Sequence, residues 1–138
     1  MASAMEDKDA IRELLAEYCF RLDNDRFDDM AALFTEDGTW DTAFGSGTGR
    51  AGIVGQLKKI AGLATGPRPR RVHLCANIVI RLSGETAKVA SNWTVIENHV
   101  DGPRIGSAGG YADELVKVNG GWFFRYRKID RFIAPGQH

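Results

Sequence analysis

The chain has little of the chemistry that usually announces a function. Only two of its 138 residues are cysteine, and Cys19 and Cys75 have no paired spacing. That argues against a disulfide framework or a thiolate metal site, and for reduced thiols in a cytoplasmic protein. The three histidines, His73, His99 and His138, stand alone, without the H-x-H, H-x-x-x-H or C-x-x-C spacings that hold zinc. No metal and no other cofactor is expected. Lys plus Arg and Asp plus Glu both number 18, so no global field gathers nucleic acid or an anionic membrane. No apolar run approaches the roughly 20 residues of a membrane span, and Met1-Ala2-Ser3-Ala4-Met5-Glu6-Asp7 lacks the basic-then-apolar order of a signal peptide. No serine or cysteine sits in a nucleophile motif. Acid–base chemistry remains, in a single domain over residues 1–138 that is long enough to bury a core.

One motif imitates a nucleotide site. Gly47-Thr48-Gly49-Arg50-Ala51-Gly52 matches G-x-G-x-x-G between a strand-like and a helix-like stretch. A dinucleotide fold would need a parallel strand after that helix, and an acid about 20 residues on for the ribose. This chain has neither and continues through hairpins. The glycines read as a flexible rim or turn.

Apolar residues at Ile11, Leu14, Leu15, Tyr18, Cys19 and Leu22 fall at helical spacing, with Ser3 and Glu6 in capping-box positions ahead of them. Phe27, Met30, Ala31 and Phe34 predict a second, shorter helix closed before Gly38. Thr39–Phe44 reads as a strand followed by a glycine-rich loop, and Ile53, Val54, Leu57, Ile60 and Ala61 predict a third helix. Arg68, Arg70 and Arg71 read as a basic cluster on a solvated loop. Strands are then predicted at about 72–82, 86–100, 105–118 and 122–133, with Asn119-Gly120 as the strongest hairpin signal. Gly106, Gly109 and Gly110 would permit a sharp bend inside the third of these. Helices first and a bent meander afterwards predict an α+β fold. A cone-shaped, strongly curved, mixed or antiparallel sheet would be closed by three N-terminal helices around a pocket.

The stretch Val72–Leu82 carries the best candidate for chemistry. Even positions are all apolar, while odd positions carry His73, Cys75, Asn77, Val79 and Arg81. Strand period puts His73 and Asn77 on one face. A histidine there is either a base at a pocket wall or a core side chain satisfied by a backbone carbonyl. Asp23 follows Leu22 where the first helix unwinds. A carboxylate there either caps the next helix beside Asn24 and Asp25, or accepts the Nδ1–H of a strand-end histidine and fixes its tautomer. The sequence pattern leaves both open. Trp40, Trp93 and Tyr111 are candidates for an apolar pocket wall or, for each, plain core packing.

Tyr18, Asp23, the His73-Leu-Cys-Ala-Asn77 strand and Arg127, in this order of helices and sheet, resemble the SnoaL-like branch of the nuclear-transport-factor-two-like superfamily, over about Asp9 to Pro135. The likeness is greatest to its lyases with an Asp–His dyad, the bile-acid 7α-dehydratase and hexachlorocyclohexane dehydrochlorinase type, and more distant to scytalone dehydratase. It implies a cofactor-independent elimination on a hydrophobic cyclic small molecule, with His73 as general base and Asp23 orienting it. Tyr18 and Arg127 fall on family site positions, for a hydrogen bond to the leaving group and for stabilising developing charge; from the residues alone, Tyr18 reads equally as helix packing and Arg127 as a surface ion pair. Tyr111 matches a pocket-lining position. The same scaffold also serves isomerases, polyketide cyclases and non-catalytic binding or structural subunits.

The partner implied is a small-molecule substrate, with no nucleic acid and no membrane. If the odd face of the His73 strand looks inward, the apolar even face needs cover, which predicts a homodimer or homotrimer. A β-bulge in that strand would swap the faces.

Overall fold

The computed structural model describes residues 1–64 and 66–136, so His138 lies outside the described residues. The chain starts with a helix because its first residues supply a cap. Glu6 N–H donates to Ser3 Oγ at 3.1 Å, and Ser3 N–H donates to Glu6 Oε1 at 3.2 Å. From this box α1 (Ala4–Asp23) runs with Ile11, Leu15 and Tyr18 fully buried on one stripe. A short α2 (Phe27–Ala31) follows, then β1 (Phe34–Thr42), β2 (Gly45–Thr48), α3 (Gly49–Ala61), β3 (Arg71–Ser83), β4 (Thr86–His99), β5 (Gly102–Val118) and β6 (Gly121–Ile133). The strands form one six-stranded sheet in the order β2-β1-β6-β5-β4-β3. The β1–β6 pairing is parallel and the others are antiparallel, so the sheet is mixed. α1 lies against β3, and α3 against β1 and β2. The α+β architecture is the one expected.

Three local expectations are corrected. Phe34 has helical spacing from Met30 and Ala31, yet it opens β1, pairing with Phe124 at a ring-centroid distance of 5.1 Å. The glycine-rich stretch after β1 is not a loop, because Gly45–Thr48 forms β2. A Cβ on Gly47 would stand 2.5 Å from the carbonyl oxygen of Gly52, so the glycines let β2 press against the start of α3. The third correction is a β-bulge in β3. Ala76 opposes Asn92 and Val79 opposes Ala90, which leaves Asn77 and Ile78 against Ser91 alone. Asn77 takes the left-handed φ of 54° that the bulge requires.

That bulge swaps the faces of β3. His73 and Cys75 point inward before it, while Ile78, Ile80 and Leu82 do so after it. The outward apolar face is therefore Val72, Leu74, Ala76 and Val79, not the whole even set. A second bulge, at Gly106 between the Val95 and Ile96 pairings, bends β4 and β5. The Asn119-Gly120 turn joins β5 to β6 with φ of 50° and 83°, as a two-residue hairpin of the primed type needs. Among the described residues, no helix is long and apolar enough to cross a membrane.

Candidate active site

The site is built where the end of α1 meets the start of β3. Asn24 closes the helix, and Asp25, with φ of 56°, turns the chain away. The exposed carbonyls there carry the negative end of the helix dipole. Arg71 Nη2 donates to Leu22 O at 3.1 Å and to Asp25 Oδ1 at 2.6 Å. Arg70 donates to Asn24 Oδ1 at 3.1 Å, and Arg68 to Asp25 Oδ1 at 2.9 Å. The arginine cluster is thus a clamp between α1 and β3, rather than a solvated loop. Against a burial effect that would raise it, the Asp25 carboxyl is held below its ordinary range by Arg71 and Arg68.

This clamp sets Asp23 against His73. The backbone N–H of His73 donates to Asp23 Oδ2 at 2.8 Å, and the ring Nδ1 meets Asp23 Oδ1 in a very short contact. Both carboxylate oxygens are engaged, and Asp23 does not cap α2, whose N-cap Arg26 makes no side-chain capping bond. A carboxylate only accepts, so Nδ1 is assigned the proton and Nε2 the lone pair. His73 lines a cavity of about 300 Å³. Tyr18, Trp40, Trp93 and Tyr111 also line it, and all four belong to the hydrophobic core as well. Among the walls that sequence reasoning did not single out are Leu22 and Phe27 near the α1–α2 junction, Leu57 and Ile60 on α3, and Ile129 and Arg131 on β6. Helical period had marked four of these, Leu22, Phe27, Leu57 and Ile60, as core. Arg131 shares strand parity with Arg127, which was the available signal.

Tyr18 is fully buried, and its hydroxyl accepts from Trp40 Nε1 at 2.9 Å. Burial raises the phenol's pKa to about 12, with Arg127 opposing the rise, so it stays a neutral donor. Trp93 Nε1 donates to Gly110 O and Asp130 O, both at 3.2 Å, and the Trp93 ring lies 6.5 Å from that of His73. A Cβ on Gly109 would fall 1.9 Å from Asp130 O and 3.0 Å from the Trp93 ring, so glycine is required at that crossing.

Two residues sit elsewhere than expected. Asn77 is exposed on the outer face and donates to Asn92 Oδ1 at 3.0 Å, because the bulge turns it away from His73. Arg127 is completely buried and does not line the cavity. Its guanidinium lies beneath the rings of Tyr111 and Tyr18, 3.5 and 4.2 Å from their centroids. Nε and Nη2 donate to Asp113 at 2.9 and 3.3 Å. Burial opposes the charge on Arg127, but Asp113 and the stacked tyrosines hold it protonated. Among the described residues no three His, Cys, Asp or Glu side chains gather as metal ligands.

Comparison with known proteins identifies the family and the fold. The profile described as SnoaL-like domain matches residues 3–128. An uncharacterised protein of Mycobacterium tuberculosis is 29% identical over 123 residues, covering 86% of this chain and 80% of that protein. A candidate scytalone dehydratase from Novosphingobium aromaticivorans is 28% identical, with a TM-score of 0.77 over 96% of this chain and 88% of that one. The β subunit of a candidate aromatic-ring-hydroxylating dioxygenase from the same organism shares the fold at 20% identity, with a TM-score of 0.79 over 93% and 90% of the chains.

Proposed function

Because the chain belongs to the SnoaL-like domain family, we propose that it is a cofactor-independent lyase removing water from a hydrophobic cyclic small molecule. One observation carries the reading. The His73 ring is tied through Nδ1 to Asp23, which leaves Nε2 as the free nitrogen of a residue that lines an apolar cavity. Nε2 takes a proton from a carbon next to the one bearing the hydroxyl. The C–H electrons become the new double bond as the C–O bond breaks. Asp23 stabilises the imidazolium, which returns its proton to the departing oxygen, so water leaves and the imidazole is regenerated.

Tyr18 donates a hydrogen bond to the leaving oxygen. With a pKa of about 12, the phenol holds that oxygen without surrendering its own proton. Arg127 acts through Tyr18 and Tyr111 as a positioning residue, since its positive charge under their rings strengthens the phenols as hydrogen-bond donors and opposes the rise that burial gives the Tyr18 pKa. The same weak acidity of Tyr18 favours a second reading, an isomerase or polyketide cyclase, in which the imidazolium returns the proton to carbon and no leaving group needs an acid.

The test is incubation with cyclic β-hydroxy ketones, read by mass. Loss of one water supports the lyase. A shifted spectrum at constant mass supports the isomerase. No change across the series supports a binding or structural subunit. For assembly, the exposed Val72, Leu74, Ile96 and Ile105 of the outer sheet face would be covered by a second or third copy of this chain. A monomer mass at micromolar concentration by light scattering would contradict that.

A further inference from the structure

The cavity is apolar in area but not neutral in charge. Arg68, Arg71 and Arg131 line it, and no aspartate or glutamate does. Arg68 and Arg71 share a single carboxylate oxygen, Asp25 Oδ1. Asp23 stands behind His73 and is engaged by that residue's backbone and ring. Even with both acids counted, one positive charge is left over while His73 is neutral, and it falls on Arg131. Among the described residues Arg131 has no ion-pair partner, and its guanidinium lies 5.4 Å from the centroid of the half-exposed Phe44 ring. Its position across the cavity follows from the register. The row Cys75, Trp93, Gly109, Arg131 crosses β3, β4, β5 and β6. Arg131 is therefore three strands from the His73 strand, at about 4.8 Å per strand. The side-chain-free Gly109 lets the Trp93 ring lie across β5 towards β6, on which Arg131 stands.

We infer that the substrate carries a carboxylate, that Arg131 binds it, and that the apolar ring between that carboxylate and the His73 side rests on Trp93 and Tyr111. A carboxylate fits better than a phosphate. One unshared guanidinium offers a planar two-donor fork that matches the two oxygens of a carboxylate, and the excess charge is one, not two. An anion at this position also gains when His73 takes up its proton, because the cavity then holds a second positive charge. The inference rests on this cavity being the substrate site, but not on the reaction run there.

The experiment is calorimetric titration of the whole protein with 1-naphthoate and with its neutral isostere 1-naphthamide. In the wild type, naphthoate should bind about tenfold more tightly, the scale of one charge-assisted hydrogen bond, and the gap should narrow at high salt. Arg131→Gln should weaken naphthoate about tenfold and leave naphthamide unchanged. Arg125→Gln, the same charge change on an exposed arginine outside this cavity, should alter neither. Equal affinities in the wild type, equal losses in Arg131→Gln, or no saturable naphthoate binding at millimolar concentration overturns the inference. A protein that discriminates the two probes yet eliminates water from nothing keeps it, while defeating the lyase reading.

Discussion

Among the described residues two carboxylates, Asp113 and Asp23, are buried against nitrogen bases, and the two pairs differ in what is left exposed. Asp113 and Arg127 sit on neighbouring interior strands with both side chains at 0% exposure. Asp23 and His73 join a helix end to an edge strand with side chains 8% and 13% exposed. In the first pair the charge is walled in by three aromatic rings and cannot reach a ligand. In the second, both carboxylate oxygens are consumed on one side of the imidazole, and the residue still lines a cavity. A closed pair supports the scaffold. A pair open on one side, with its partner already fixed, is poised for proton transfer.

Breaking each pair should separate these roles. Arg127→Met leaves Asp113 buried without compensation and should cost about 3–5 kcal/mol in urea unfolding, while Arg127→Met with Asp113→Leu should recover most of it. His73→Ala should remain folded and lose at least about a hundredfold in activity on a true substrate. An Arg127 variant that folds normally and loses only activity would erase the contrast.

Tyr18→Phe should show a smaller effect. It removes one hydrogen bond to the ligand and leaves Trp40 Nε1 unpartnered, so about a tenfold loss in activity and about 1–3 kcal/mol in stability are expected. The same buried layer fixes an alkaline behaviour. Burial raises Tyr18 to about 12 and lifts Tyr111 well above 10.0, while the hydrogen bond to Asp41 first, then burial, raises Tyr126 to about 12. Folded values above the unfolded one mean stability that is complete below about pH 10 and lost as pH rises through 12. Tyrosinate absorbance should therefore stay low at pH 10 in the native protein. The buried Tyr18 and Tyr111 should then ionise together as it unfolds, and early ionisation of either would contradict this packing.

The smallest effect lies at the acid end. Hydrogen bonds from Lys117 and Trp122 hold the Asp7 carboxyl below its ordinary value of 3.8. Its contribution is present above that value and lost as pH falls through the lowered one. Asp7→Asn should flatten the acid side of the stability profile, measured by urea midpoints, while leaving the dyad untouched.

How much of this was legible in the sequence depends on range. The capping box, the Asn119-Gly120 turn and the helix-then-sheet order are written within a few residues of one another, and they fold as they read. The Asp23–His73 pairing spans 50 residues, and periodicity alone could not choose it over a helix cap. What decides it is the three-arginine clamp, whose partners are backbone carbonyls and side chains at the far helix end, invisible to local pattern. Asn77 was misplaced because strand parity carries through a bulge only when the bulge is known, and an asparagine does not announce a left-handed φ. Arg127 was placed correctly on its strand, but its burial depends on Tyr18, Tyr111 and Phe124 meeting from three separate elements. Arg131 was passed over because an unpaired arginine looks like any surface charge until its neighbours are known.

The central claim, that Asp23 holds His73 in one tautomer with Nε2 free, can be read without a substrate by nitrogen-15 NMR of the histidine rings. The account predicts a His73 imidazole protonated at Nδ1, with a far-downfield proton that disappears in Asp23→Asn. An Nε2–H tautomer, or a ring spectrum unchanged by Asp23→Asn, would contradict it.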